Sequence, residues 1–210
     1  VVDLDLAGLR SLDPERRRRA WEELESLASR SPKELEDKRL YIRSLLWHKM
    51  QGVREEAWKH LPLYKRLEVN VERAFRANSD RIKLTAWSHY PDVISSGLMT
   101  REQVVKMRQH FWRLLRSFYP TVRKKAWALL VSMVRDGIVQ EGDKEKVLSY
   151  LSHRKVSVRL LAWSKVRELG ELGFLTREDV ERKEAFLKEL TQGESRASAR
   201  ARKLVEVLRL

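Results

Sequence analysis

Nine basic residues fall between positions 101 and 135: Arg101, Lys106, Arg108, Arg113, Arg116, Arg123, Lys124, Lys125 and Arg135. Glu102 is their single acidic companion. A solvated helix face ordinarily mixes both signs, because opposite charges three or four positions apart stabilise each other. One-sided charge across a helix pair points instead to a polyanion. Ammonium and guanidinium groups would neutralise phosphates and release counterions, which makes binding tolerant of sequence and sensitive to salt. The C-terminal run Arg196, Arg200, Arg202, Lys203 also lacks an intervening acid and extends the candidate set. Arg159 joins it from a repeated basic position described below. The run Arg16–Arg19 is a weaker candidate, since Glu15, Glu22, Glu23 and Glu25 stand at pairing distance.

The whole chain of 210 residues carries 44 basic and 30 acidic side chains, a formal net charge of +14. The excess is concentrated late: +1 over residues 1–50, +2 over 51–100, +6 over 101–150 and +5 over 151–210. Such a balance is an argument about partners rather than fold. Nucleic acid is the expected partner, DNA before RNA and duplex before single strand; the alternative is a protein–protein interaction scaffold or adaptor that holds a peptide or an acidic partner domain. Other chemistry is not written into the residues. The five histidines (His48, His60, His89, His110, His153) are scattered, and none has metal-ligand spacing. They are expected on surfaces or in single hydrogen bonds. No glycine-rich phosphate loop, nucleophile elbow or paired-carboxylate motif occurs. A non-enzymatic protein without metal or cofactor is therefore expected. Cysteine is absent, which fits a reducing interior, so the expected location is intracellular, cytoplasmic or at the nucleoid. No apolar run reaches the ~18–20 residues of a membrane span, and no leader pattern precedes the first helix. Charged residues make up 35% of the chain and Asn and Gln are sparse, a balance that fits a thermophilic source.

The elements that must position these cations repeat. An apolar residue, a basic residue, two variable positions and Ala-Trp recur as Val53–Trp58, Ile82–Trp87, Val122–Trp127 and Val158–Trp163. A variant is Arg16–Trp21, and a degenerate last copy is assigned to Ala199–Leu204. A recurrence of this kind at intervals of 29–40 residues specifies a repeat architecture. A second signature keeps the same register. Gly97 to Val104, Gly173 to Val180 and, more loosely, Gly137 to Asp143 each place a glycine ten residues after the repeat Trp. Each follows it with a helix start. Thr100 with Gln103 is a capping box after a left-handed glycine.

Helix signals dominate and no strand-type alternation is sustained. Residues 1–10 read as a short helix. Asp13-Pro14 starts the next, which runs to about Ser29. Further helices are expected from Ser31 to Trp47, from Val53 after a break at Gln51-Gly52, and over 64–77. Asn78-Ser79-Asp80 caps the one that follows, with Pro91 as a kink. Then come 101–117, the Val122 helix, 144–151, 156–170, 176–191 and 195–208. Val122, Ala126 and Leu130 form one stripe of the repeated helix. The small Ala admits a partner helix, and the basic residue lies one turn from the Trp, within reach of a cation–π contact.

This pattern resembles the second helix of HEAT repeats, which carries an Asp-Pro-like entry, a Val-Arg pair, Ala and Leu. Asp13-Pro14 with Arg17, Ala20 and Leu24 looks like it, as do Val122-Arg123 with Ala126 and Leu130, and Val158-Arg159 with Ala162. The resemblance covers residues 11–208. It implies an all-α, right-handed α-solenoid of about six HEAT-like helix pairs, one domain over 1–210 with atypical terminal units. The position after Ala is usually small in that family and is Trp here, and the entry Asp is missing in several units. The chain is also similar in architecture and basicity to a family of HEAT-like DNA glycosylases for alkylated bases. No Asp stands in a matching motif, so that activity is not carried over.

Two features have two readings each. The basic ladder (Arg17, Arg54, Lys83, Arg123, Arg159, Arg200) either bonds between repeats or lines a groove for phosphates. The Trp series either packs between repeats or offers stacking surfaces. Packing is the expectation for the Trp residues. Lys124 and Lys125 do not repeat in the sister units and are the sharper pointer to a ligand.

Overall fold

The computed structural model describes residues 4–210, so the part of the 1–10 expectation that concerns the first three lies outside the described residues. Leu6–Arg10 forms a 3-10 turn. Helices account for the regular structure, and no strand occurs among the described residues. Contacts group into two bodies, Val1–Phe111 and Trp112–Leu210. Trp21, Trp58 and Trp87 belong to the first, Trp127 and Trp163 to the second.

Each repeat turns on its tryptophan. All five are buried. In four of them the indole Nε1 donates to the carbonyl twelve residues back: Trp58 to Leu46 at 2.9 Å, Trp87 to Phe75 at 3.1 Å, Trp127 to Leu115 at 2.9 Å and Trp163 to Leu151 at 2.9 Å. That carbonyl lies near the end of the preceding helical segment, where backbone acceptors lack helical partners. One large side chain thus fills the core and closes a helix end. The Ala before it is also buried in each unit, leaving room for the partner segment. Trp21 differs: its Nε1 has no acceptor, and its ring stacks face to face on His60 at 4.2 Å.

The first body continues this packing through edge contacts of Phe75 with Trp58 and Trp87. Tyr64, fully buried, donates its hydroxyl to the Ile42 carbonyl at 2.6 Å, and burial pushes its pKa well up. In the second body Trp127 meets Tyr150 edge-on at 5.4 Å.

The cap signatures hold in detail. Asp13 accepts from the Glu15 N–H at the start of Pro14–Arg30. Gly97, Gly137 and Gly173 take φ of 79°, 77° and 75°, the left-handed values for which glycine carries no Cβ penalty. Reciprocal capping boxes follow at Thr100 with Gln103, Gln140 with Asp143 and Thr176 with Asp179. Asp179 accepts from the Thr176 N–H and also pairs with Lys144 and Arg182. That backbone bond, with the two cations, holds its carboxyl far below the usual range.

Helix continuity departs from expectation. Gln51-Gly52 is not a break, because the helix Gln51–Trp58 includes both residues. The segment 64–77 is two short helices, Leu61–Arg66 and Glu72–Phe75, separated where Glu68 adopts φ 56°. Helices close after Trp58, Ser88 and Trp163 and restart as Leu61–Arg66, Tyr90–Ser95 and Val166–Glu171. Pro62 and Pro91 sit in the first turn of those restarts, where a missing N–H costs nothing. Pro14–Arg30 and Pro120–Arg135 run through uninterrupted. The expected 101–117 helix becomes Arg101–Met107 followed by two 3-10 turns, 108–110 and 112–116. The expected 176–191 helix likewise becomes Arg177–Glu181, Glu184–Lys188 and a 3-10 turn over 189–191.

Candidate nucleic-acid interface

The repeated basic residue is turned inward. Arg54, Arg123 and Arg159 are buried. Each donates to the carbonyl six residues back: Arg54 to His48 at 2.9 Å, Arg123 to Ser117 at 2.8 Å and Arg159 to His153 at 2.8 Å. Arg17, half-buried, does the same to Ser11 at 2.8 Å. The accepting residue has a second role. Its side chain receives the N–H two positions on: Ser11 from Asp13, His48 from Met50, Ser117 from Tyr119 and His153 from Lys155. Serine or histidine at this position and the guanidinium behind it together fold the loop that enters the repeated helix. Four copies of Ser or His placed six residues before Arg were the sequence signal for this device. The pattern is hard to see in sequence because the two side chains have little in common except an acceptor near the backbone.

Burial therefore removes Arg123 and Arg159 from the candidate surface. Arg123 Nη1 donates to the carbonyls of Ser117 and Phe118 while its Nε is buried without an acceptor, and Arg159 bonds the His153 and Phe186 carbonyls and the Glu189 carboxylate. The cation–π expectation shifts too: Arg159 lies over the Phe186 ring, while Arg43 and Arg73 both lie over Trp47. In the last unit Ser198, not Arg200, occupies the inward position. Its hydroxyl donates to the Gln192 carbonyl six residues back, and Ala201 is the buried small residue. Arg200 and Lys203 are exposed, whereas Arg202 bonds the carbonyls of Thr191 and Gly193.

The remaining candidates divide between the bodies. In the first, Arg101 and Lys106 are exposed on Arg101–Met107, and Arg108 is half-buried against the Val105 carbonyl. In the second, Lys124 and Lys125 are exposed near the start of Pro120–Arg135, and Arg135 ends that helix 3.8 Å from the Asp136 carboxylate. Arg113 is half-buried in the 3-10 turn Trp112–Arg116. Arg116 is exposed; it bonds the Tyr150 hydroxyl, which itself donates to the Trp112 carbonyl. Burial raises the Tyr150 pKa, and Arg116 opposes that rise.

No family model and no curated protein matches the sequence. Two solved structures align along nearly the whole chain. A designed armadillo repeat protein is 15% identical over 97% of this chain and 98% of its own, with a TM-score of 0.42. An engineered protein is 17% identical over 97% and 94%, with a TM-score of 0.43. The helical-repeat assignment rests on the recurring Trp, Arg and cap geometry given above.

The histidines are better placed than scattered surface groups. His60 and His89 stand two residues after a repeat Trp and stack on the preceding Trp, Trp21 and Trp58 respectively. His60 also meets the Glu25 carboxylate, which Arg66 pairs. Among the described residues no cluster could hold a metal ion, and no helix is long and apolar enough to cross a membrane. His48 and His153 carry a pH signature. Burial first, and then neighbouring cations, push both below the usual histidine value. The cations that act on them are Arg10, Lys49 and Arg54 for His48, and Arg154, Arg116 and Arg159 for His153. A group with a lowered folded pKa binds protons more readily in the unfolded chain. Its contribution is complete above the unfolded value of about 6.5 and is lost as the pH falls below it. Replacing both residues by serine, as at Ser11 and Ser117, keeps an acceptor for the loop N–H. H48S/H153S should show little change in thermal midpoint near neutral pH and a smaller loss than the parent at about pH 5. Identical acid-side losses in the two proteins would show that these half-buried imidazoles do not act as neutral acceptors.

Proposed function

We propose that this helical-repeat protein binds nucleic acid through its phosphate backbone, duplex DNA first, with little regard to sequence. One observation carries the reading. From 103 to 135 the chain has no acidic residue, and after the repeat arginine is withdrawn into its loop, Lys106, Arg116, Lys124, Lys125 and Arg135 stay exposed. Structural demand accounts for the buried cation, and in part for Arg116 and Arg135 beside the Tyr150 hydroxyl and the Asp136 carboxylate, but not for Lys106, Lys124 and Lys125. Exposed cations of one sign draw a polyanion and release its counterions, each phosphate contact adding about 0.9 to the slope of log affinity against log salt.

Titration of a labelled blunt duplex at rising salt is the test. Binding at low salt that weakens steeply is expected. No binding at low salt, or binding indifferent to salt, would sink the reading. A scaffold for an acidic protein partner is the second reading, favoured by the exposed Leu12 and Leu40 of the first body. A protein partner retained from nuclease-treated lysate, together with a failed duplex titration, would put that reading first.

A further inference from the structure

Phe118 is 80% exposed, the most exposed large apolar side chain among the described residues. It stands at the tip of the loop that leads into Pro120–Arg135. The sister loops carry Leu12, Lys49 and Arg154 at the corresponding place, one residue after the Ser or His acceptor. Only here is the tip aromatic among these four. Its backbone is fixed from two sides. The Ser117 hydroxyl accepts the Tyr119 N–H at 3.3 Å, and the buried Arg123 donates to the Ser117 carbonyl at 2.8 Å and the Phe118 carbonyl at 3.2 Å. Tyr119 meets the Phe118 ring at 5.6 Å with the ring planes at 86°, so it covers at most one of the ring's two faces. Arg123, which loses its place as a phosphate ligand, thus becomes the residue that holds an aromatic side chain in water.

The surroundings are cationic. Arg116 precedes the tip by two residues and bonds Tyr150, beside His153, where its charge and that of Arg154 are both felt. Lys124 and Lys125 follow on the helix that the loop opens. An apolar protein partner would use the ring but leave the cations of this stretch, which has no acid from 103 to 135, unmatched. A nucleotide matches both features, because every base has a face to stack and a phosphate on either side. Inside an undistorted duplex both faces of an interior base are already stacked, and wedging a ring between them costs unstacking energy, so the ring suits an unpaired base.

Resting on the nucleic-acid reading above, we propose that Phe118 is a stacking platform for one base of a single-stranded segment, with Arg116 and Lys124 on the flanking phosphates. The buried tryptophans cannot do this, since all five are sealed in the core.

Affinities of an oligothymidylate of about 12 nucleotides and of a blunt duplex decide it, measured for the parent, F118A and F118W. Phe118 supports no core contact that its removal would empty, and circular dichroism checks that F118A keeps its helices. F118A should weaken the single strand about 5- to 100-fold, F118W should restore it, and the duplex should change by less than about twofold. The salt slope should be the same in all three proteins, because no phosphate contact is removed. Equal single-strand affinities for the parent and F118A overturn the platform and leave the phosphate-binding reading standing. An equal loss on strand and duplex also overturns it, since the ring would then not be reading an unpaired base. Failure of the parent to bind either probe at low salt overturns both readings together.

Discussion

Trp127→Ala will destabilise the second body by about 3–5 kcal/mol, the range for emptying a large aromatic site. Trp127 is fully buried, packs edge-on against Tyr150 and gives its Nε1 hydrogen to the Leu115 carbonyl. The substitution creates a cavity and orphans a buried acceptor at once, and the second loss alone is worth about 1–3 kcal/mol. Trp127→Phe separates the two terms. It keeps most of the ring volume and loses the donor, so it should cost about 1–3 kcal/mol. Trp21→Phe should cost clearly less, because the Trp21 Nε1 has no acceptor to lose and a phenyl ring can still stack on His60. Chemical denaturation of the four proteins measures all of this. Equal losses for W21F and W127F would show that the indole hydrogen bond does not organise the repeat.

Reversing Lys124 and Lys125 to glutamate will weaken binding of a blunt duplex by roughly 30- to 1000-fold at low salt, or about 2–4 kcal/mol. Both side chains are exposed on Pro120–Arg135, and no acid stands between them and Gln103 on one side or Arg135 on the other. Each substitution removes one attraction and adds one repulsion. Stability should barely move, since neither lysine is part of the core and exposed charges contribute little to folding. Loss of affinity accompanied by unfolding would place these residues in the scaffold. Unchanged affinity would mean that the ligand, if any, lies elsewhere.

How much of this was legible in the residues varies with how local the cause is. Caps are local: Thr100 with Gln103 and Gly97 before them were readable because the whole device spans a few residues. The Trp-Ala pair and its burial were readable because its period repeats. The direction of the basic ladder was not. A guanidinium one turn from an indole is compatible with stacking, with solvent or with a carbonyl, and the choice of the carbonyl of Ser117 or His153 depends on a loop six residues away. The last unit misled for a related reason. Ala and Arg alternate over 199–202, which lets Ala199–Leu204 stand as the repeat with Arg200 in its basic position, whereas the fold selects the small inward pair Ser198 and Ala201. Pro62 and Pro91 signal the interruptions that follow Trp58 and Ser88, whereas the one after Trp163 has no such marker, because periodicity continues across it while hydrogen bonding does not. Phe118 lies in the opposite class. Its identity was plain, but the exposure that makes it a candidate is a property of the folded loop alone.

One measurement bears most directly on the division between cations that fold the chain and cations that bind its partner. Log affinity for a blunt duplex against log salt is recorded for the parent, R159M and K124E/K125E, alongside thermal unfolding of each. The R159M line should run parallel to the parent's while its unfolding midpoint drops, because Arg159 is buried on the carbonyls of His153 and Phe186. K124E/K125E should keep the midpoint and lose at least roughly 1.8 from the slope, about 0.9 for each phosphate contact removed. The reverse pattern would contradict the division: a shallower slope for R159M, and a lowered midpoint with the parent's slope for K124E/K125E.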